Sequence, residues 1–358
     1  MMQFLVPHVQ YLRTQGYDVE VACSEVGARF AEVQKVLGEE KTYKVRLQRS
    51  PFSPSNLKGL SDLKQILNNN TYDLIWTNEP VMGIMTRIAA QKARKKGTRV
   101  VYMTHGYHFF KGGESKYRIF HFIEKWASKY CDAIVTINWA DYHLTKDEYY
   151  APIVEHIDGI GLDTNKFSTE IDRQKKREEL GISEDSFVVL SVGELKEHKN
   201  HKTVIDAIAK LKDKNIVYLI CGKGELLEKF QKQATELGIE DKVKFLGYRK
   251  DVNEIMHCAD VFAFPSKREG LGLAALEAMA AGLPIIGADT RGIVDYVVNG
   301  ETGYLCEVEN PQAYADAISV LYADVELREK ISAKCKQEVK KYDIENIEAQ
   351  IQKILEKL

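Results

Sequence analysis

Two glutamates lie at the start of a short apolar helix in the second half of the chain. The stretch from Arg268 to Pro284 reads REGLGLAALEAMAAGLP, with Glu269 before the predicted helix and Glu277 in its second turn. A carboxylate close to the core is costly unless something pairs with it. The unpaired amides at the start of a helix favour an anion. The stretch predicts a phosphate site with two carboxylates for sugar hydroxyl groups. Helix capping on a solvated surface is the alternative.

Other predicted strand ends carry residues that suit the same ligand. Gly193 follows one strand, and Lys199 lies close enough behind it to reach a diphosphate with its ammonium group. Gly222 follows the next strand, and Tyr248 and Arg249 follow the one after that. Parallel strands end at one edge of a sheet, where α/β folds bind nucleotides. Each segment alone is also typical of a solvated loop, but together they predict a nucleotide-diphosphate cleft.

Short apolar runs alternate with segments of helical period along the whole chain. The runs predict strands at 19–23, 43–47, 74–77, 100–104 and 133–137, and again at 188–192, 217–221, 243–246, 261–265 and 284–288. This alternation is typical of doubly wound parallel sheets, and 358 residues exceed one ordinary core. We therefore predict an α/β fold of two Rossmann-like domains with a cleft between them.

The domain limits follow from a stretch of residues that interrupt regular secondary structure. A Gly/Asp/Asn-rich stretch at 157–167 can serve as a hinge, so we predict an N-terminal domain at 1–160 and a C-terminal domain at 161–339. A domain of this kind normally begins with a strand. This chain begins instead with a helical pattern, in which one face is formed by Phe4, Val6, Val9 and Leu12. We predict that this strand is missing.

Composition narrows the class of protein. Hydrophobic residues make up 44% of the chain, and no run of the length that spans a bilayer occurs. The sequence pI near 6.5 and the lack of a basic stripe argue against nucleic acid as a partner. The six scattered cysteines form no Cys-x-x-Cys pair and are expected to be reduced packing residues. The protein is expected to be cytoplasmic.

The order of these motifs resembles that of glycosyltransferase family 4, the retaining transferases with the GT-B fold. The resemblance covers nearly the whole chain and rests on Gly193-Glu-Leu…Lys199-Asn, Gly222-Lys-Gly, Phe245-Leu-Gly, Glu269-Gly-x-Gly…Glu277 and Gly300-x-x-Gly303. It implies a metal-independent enzyme without a cofactor that uses a nucleotide-sugar donor, which we expect to be a UDP-sugar. In this fold the last segment, 340–358, packs back on the first domain.

Carried over residue by residue, the resemblance assigns roles to the site. It implies that Glu277 binds the ribose, that Glu269 contacts the donor sugar, and that Lys199 neutralises the leaving diphosphate. It also matches Thr104-His-Gly to a family histidine, so His105, Lys199 and Glu269 are the predicted catalytic residues. The predicted donor-binding residues are Gly193, Glu194, Lys199, Gly222, Tyr248, Arg249, Glu269, Gly270, Leu271, Gly272, Leu273 and Glu277. The family often has Arg where Glu194 stands, so Lys196 is a candidate second cation.

The acceptor is expected to dock on the first domain. The family's common acceptor is a lipid-linked sugar or a saccharide at the cytoplasmic membrane face, in capsule, exopolysaccharide or lipopolysaccharide synthesis. Residues 111–126 mix aromatic and basic side chains, and 91–99 form a cationic run, so this half can contact an anionic membrane surface. A helix packed on its own sheet with a solvated basic face is the alternative.

Two other functions fit the same sequence. One is an epimerase of the same fold, which would convert a UDP-sugar without an acceptor. The other is an N-terminally truncated, inactive protein that keeps only the nucleotide-binding half; the missing first strand motivates it.

Overall fold

A computed structural model gives the fold and describes residues 2–24, 29–109, 118–168 and 171–358. Its contacts divide the chain into two compact units. Unit 1 comprises Met1–Gly161 and Glu345–Leu358, and unit 2 comprises Leu162–Ile344. Each unit is an α/β assembly of parallel strands, which agrees with the predicted fold class.

Unit 1 alternates helices and strands. In chain order they are α1 (Met2–Thr14), β1 (Val21–Cys23), α2 (Arg29–Leu37), β2 (Thr42–Lys44), α3 (Ser55–Asn69), β3 (Leu74–Asn78), α4 (Pro80–Ala89), α5 (Gln91–Arg94), β4 (Arg99–Met103), α6 (Arg118–Ala127), β5 (Ala133–Thr136), α7 (Trp139–Glu148) and β6 (Ile153–His156). The last helix of the chain, α15 (Ile344–Leu355), adds residues 345–355 to this unit. There, Gln350 of α15 donates to the Asp158 carboxylate over 2.9 Å.

The strands of unit 1 form two separate sheets. β1 pairs with β2, and β3, β4, β5 and β6 pair in that order, all in parallel. Within the described residues no strand connects β1 with β3, and the first element is the helix α1. An apolar cluster joins the two sheets, because Ala22 of β1 and Met82 of α4 both pack against the buried cluster of Val45, Leu47, Leu63 and Ala89.

The described residues of unit 2 form one six-stranded sheet. Its elements are α8 (Arg173–Glu179), β7 (Phe187–Val192), α9 (His201–Ala209), β8 (Ile216–Cys221), α10 (Leu227–Glu236), β9 (Val243–Gly247), α11 (Val252–Cys258), β10 (Val261–Phe264), α12 (Leu273–Ala280), β11 (Ile285–Ala288), β12 (Gly303–Cys306), α13 (Pro311–Ala323) and α14 (Val325–Glu338). The strand order is β12-β11-β10-β7-β8-β9. All residues of β10 and β11 are buried, as expected for a parallel sheet covered on both faces.

The structure contains all ten predicted strands and two that the prediction missed. The missed strands are β6 and β12, which lie at the outer edges of their sheets. β6 has only partly buried residues, and β12 has two of them, so neither forms a continuous apolar run. The six cysteines are buried and unpaired, as predicted. Among the described helices, none has the length and apolar character needed to cross a membrane.

Candidate functional site

The strand order of unit 2 creates a crevice between two loops. From β7 the chain adds β8 and β9 on one side, and then returns to add β10, β11 and β12 on the other. The loops that follow β7 and β10 therefore leave neighbouring strands in opposite directions. In parallel α/β sheets this switch point, beyond the carboxyl ends of the strands, is where ligands bind. The loop after β7 carries Lys199, and the loop after β10 carries Glu269.

Backbone and amide contacts fix these two loops to each other. The Lys267 amide donates to the His198 carbonyl over 2.8 Å, and the Asn200 side-chain amide donates to the Pro265 carbonyl over 3.1 Å. Asn200 has a left-handed backbone, with φ of 57°, and immediately precedes α9. The loops are thus joined independently of their charged side chains.

Lys199 and Glu269 meet at the centre of this crevice. The Lys199 Nζ atom lies 2.5 Å from Glu269 Oε1, and the two side chains are only 20% and 13% exposed. Nζ also lies 5.5 Å from the centre of the Phe264 ring. The structure thus brings together two of the three predicted catalytic residues, although they are separated by 70 positions in the sequence.

The start of α12 provides backbone amides beside this ion pair. Gly272 caps the helix with φ of 92° and no side-chain hydrogen bond, so the first amides have no side-chain acceptor. A Cβ at Gly272 would press on the Phe264 ring, which excludes larger residues. The Leu271 side chain is buried, so its backbone is the part available to a ligand. Gly270 and Leu273 flank this turn at intermediate exposure.

Glu277 lies in the second turn of α12 and is partly buried. Its carboxyl group makes no hydrogen bond or ion pair with any residue that the structure describes. Burial raises the pKa of its carboxyl group to about 7, and the positive charge of Lys166 opposes that rise. A partly buried carboxylate without a partner is suited to accept hydrogen bonds from a ligand.

The glycines after β7 and β8 have a packing role. A Cβ at Gly222 would collide with the carbonyl group of Gly193, so only glycine fits there. The Gly193 amide donates to the Cys221 carbonyl over 2.9 Å, which extends the β7–β8 pairing into the loop. Gly193 itself faces the Lys199 side chain, whose Cδ atom would lie 3.6 Å from an added Cβ. Gly222 therefore allows the close approach of the two loops, and Gly193 lies beside the aliphatic part of the Lys199 side chain.

Two basic residues near the crevice, Arg249 and Lys196, form ion pairs with neighbouring carboxylates. Arg249 donates to Asp251 over 2.5 and 2.8 Å and to Glu179 over 3.0 Å. Its side chain is therefore held by carboxylates, and only its backbone and the 69% exposed Tyr248 remain for a nucleobase. Glu194 pairs with Lys196 over 2.9 Å, which lowers the pKa of Glu194. The candidate second cation is thus already bound to a carboxylate.

A buried chain of hydrogen bonds supports the crevice from below. Ser191 donates to the Ala263 carbonyl over 2.6 Å, Tyr218 donates to Ser191 over 2.9 Å, and His201 Nδ1 lies 3.3 Å from the Tyr218 oxygen. Burial lowers the pKa of His201 to about 4, so the imidazole is neutral. Sequence reasoning missed this chain, because its members lie on three strands and on α9, and the sequence does not show which of these elements are neighbours.

In unit 1, His105 follows β4 at the carboxyl edge of the sheet. Its Nε2 atom lies 3.0 Å from the Asn78 amide oxygen, and Asn78 ends the neighbouring strand β3. Burial and the nearby His8 lower the pKa of His105 to about 4, so the ring is a neutral hydrogen-bonding group. Sequence reasoning missed Asn78, although a polar residue at the end of a strand is a recognisable signal.

His105 and His108 lie close in sequence and could suggest a metal site in unit 1. Across residues 2–24, 29–109, 118–168 and 171–358, no group of three or more His, Cys, Asp or Glu side chains is arranged to hold a metal ion.

Comparison with known proteins identifies the relatives of this chain. The family model described as "Glycosyl transferases group 1" matches residues 172–338, and "Glycosyl transferase 4-like" matches residues 2–138. "Putative glycosyltransferase EpsD" of Bacillus subtilis is 35% identical over 92% of this chain and 86% of its own. The Escherichia coli "UDP-Gal:alpha-D-GlcNAc-diphosphoundecaprenol alpha-1,3-galactosyltransferase" is 27% identical over the same shares. The crystal structure of Anabaena Alr3699/HepE in complex with UDP-glucose superimposes with a TM-score of 0.82, at 23% identity, over 100% of this chain and 96% of that one.

Proposed function

The chain belongs to the family 4 type of glycosyltransferases with the GT-B fold, and we propose that it transfers a sugar from a UDP-sugar to a lipid-linked or saccharide acceptor in cell-surface polysaccharide synthesis. The observation that carries the proposal is the switch-point crevice, where Lys199 lies beside the start of α12. Glu277, whose carboxyl group has no hydrogen-bond or ion-pair partner among the described residues, lies in the second turn of the same helix. The names of the E. coli galactosyltransferase and of the HepE complex support UDP as the nucleotide.

The proposed reaction retains the configuration of the sugar and needs no metal ion. The bond between the anomeric carbon and the leaving phosphate oxygen breaks, and a bond to an acceptor hydroxyl oxygen forms on the same face. The leaving phosphate takes the proton of that hydroxyl group. The charge on the departing diphosphate is stabilised by Lys199 and by the amides at the start of α12. Glu277 holds the ribose hydroxyls, and Glu269 and His105 hold the donor sugar.

Calorimetric titration with UDP and GDP tests this assignment. UDP should bind the wild-type protein, and Glu277→Ala should bind it about 10- to 100-fold more weakly, since hydrogen bonds to a charged acceptor are lost. Glu329→Ala, a change at an exposed glutamate of α14, is the matched control and should bind UDP normally. Equal affinity of the two variants, or no UDP binding by folded wild-type protein, would contradict the proposal. Incubation with UDP-sugars alone distinguishes the epimerase, which would release an epimer without an acceptor.

We also propose that unit 1 touches an anionic membrane through one face of α6. Ile119, Phe122 and Trp126 are 58%, 62% and 44% exposed, which is unusual for large apolar side chains. Together with Arg118 and Lys125 they fall within an arc of about 120° on the helix. Residues 111–117 of the predicted membrane segment lie outside the described residues.

The opposite face of α6 is firmly anchored. Glu124 is buried and bonds the fully buried Arg87 over 2.6 Å, and the Arg87 guanidinium lies 4.0 Å from the centre of the Tyr102 ring. The apolar and basic face is therefore held outwards. The cationic run at 91–99 contributes less, because Arg94 and Arg99 both pair with Asp132. Basic and aromatic side chains on one helix face favour an anionic lipid surface.

Co-sedimentation with lipid vesicles tests this surface. The protein should sediment with vesicles that contain phosphatidylglycerol and much less with pure phosphatidylcholine, and added salt should release it. Phe122→Ser should abolish most of the binding. Phe52→Ser is the control, because Phe52 is 85% exposed elsewhere in unit 1. Equal sedimentation of both variants would show that α6 is not the contact.

A further inference from the structure

The ion pair between Lys199 and Glu269 joins two groups that are each assigned to a different part of the donor. We propose that Glu269 competes with the diphosphate for Lys199, and thereby makes the site favour a nucleotide-sugar over the free nucleoside diphosphate. This inference rests on the proposed function, in which Lys199 binds the diphosphate and Glu269 binds the sugar. It gives Glu269 a second role, in the discrimination between substrate and product.

The pair is well placed to compete. Its atoms are 2.5 Å apart, and both side chains are largely shielded from water, so the attraction is screened less than at an open surface. Within the described part of the chain, Glu269 is the only carboxylate paired with Lys199. The loops that carry the pair are joined by the Lys267–His198 and Asn200–Pro265 hydrogen bonds. The contact is therefore built into the site.

One ammonium group cannot pair fully with two anions. When a nucleotide-sugar binds, Glu269 exchanges Lys199 for sugar hydroxyl groups, and Lys199 turns to the diphosphate, so both groups keep a partner. When UDP binds alone, Glu269 has no sugar to hold, and it stands as an uncompensated negative charge beside the diphosphate. Leaving a shielded charge unpaired is costly. The carboxylate therefore takes Lys199 back after the sugar has left, which favours release of UDP.

Removal of the Glu269 charge should consequently strengthen UDP binding. In calorimetric titrations, Glu269→Gln should bind UDP roughly fivefold more tightly than wild type, the equivalent of about 1 kcal/mol for a partly shielded pair. A merely structural role for Glu269 would weaken binding instead. The part of the gain that comes from competition should depend on the lysine, so Glu269→Gln should change UDP affinity less in the Lys199→Met background than in the wild-type protein.

A matched variant separates this effect from a general change of charge. Glu309 pairs with Lys267 over 2.5 Å in the same unit, and Glu309→Gln removes the same charge without touching Lys199. It should leave UDP affinity within about twofold of wild type. If wild type binds UDP and folded Glu269→Gln binds it equally or more weakly, or if Glu309→Gln gives the same gain, the inference is wrong and the proposed function stands. If wild type binds no UDP, the proposed function fails first.

Discussion

The partly buried carboxyl group of Glu277 makes the stability of the ligand-free protein depend on pH. Burial raises the folded-state pKa from 4.5 to about 7. Below pH 4.5 the group is protonated in both the folded and the unfolded state and has no effect. As the pH rises, the unfolded chain loses the proton first, so the folded state becomes relatively less stable until the folded group also ionises near pH 7.

Glu277→Gln removes this penalty and should therefore stabilise the protein. Each unit of pKa difference corresponds to about 1.4 kcal/mol, so the gain in free energy of unfolding should be about 1 kcal/mol at about pH 5 and about 3 kcal/mol at about pH 8. The larger gain belongs to the higher pH, because only there is the wild-type carboxylate fully charged in the folded protein. The same variant should lose affinity for UDP, since a neutral amide is a weaker acceptor for ribose hydroxyls.

Urea unfolding of wild type and variant at both pH values, without nucleotide, measures this difference. Glu329→Gln provides the control, because its carboxylate is exposed on α14 and should give no pH-dependent change. A stability difference that is the same at both pH values would refute the argument, because it would mean that Glu277 titrates normally. So would a variant that is less stable than wild type at the higher pH.

Three further changes test other parts of the structure. Asn78→Asp should place a carboxylate beside His105 and raise the pKa of its ring from about 4 towards or above 6.5, which NMR titration of the ring protons would detect; an unchanged pKa would contradict the contact. Glu124→Gln should cost about 3–5 kcal/mol in urea unfolding, because buried Arg87 loses its ionic partner, and a cost below 1 kcal/mol would be inconsistent with the pair. Gly222→Ala should weaken UDP binding and lower the melting temperature, because the added methyl group displaces the Lys199 loop; unchanged values would show that the loop adapts.

Complete burial makes a strand predictable, and both strands that the prediction missed are incompletely buried. β10 and β11 are buried at every position and therefore appear as apolar runs. β6 and β12 have a partner on one side only, and Glu155 and His156 interrupt β6. A polar residue at the open edge of a sheet costs little, so the sequence of an edge strand carries a weaker signal.

The site was also predictable only in part: the location of its residues follows from the sequence, but their contacts do not. That Lys199 and Glu269 lie at the carboxyl edge of one sheet follows from the periodicity around them, because parallel strands all end there. That they touch follows only from the order of the strands, which places β10 beside β7 and which periodicity does not encode. The same is true of Arg249, whose side chain is held by Glu179 from a distant helix. The chemical role of a residue could therefore be predicted from its neighbours in the sequence, whereas its ion-pair partner depends on the order of strands and helices in the fold.

Glu269 and Glu277 differ in how their partly buried carboxylates are compensated, and this difference should appear in the UDP affinity of their variants. Glu269 is compensated by Lys199, whereas Glu277 has no partner among the described residues and keeps a raised pKa. Nucleotide binding therefore breaks the existing Lys199–Glu269 ion pair, whereas at Glu277 it relieves the cost of burying an unpaired carboxylate. Neutralising each carboxylate with glutamine should consequently move UDP affinity in opposite directions, upwards for Glu269→Gln and downwards for Glu277→Gln. Two glutamates of one helix start that responded alike would mean that burial and pairing do not control the site.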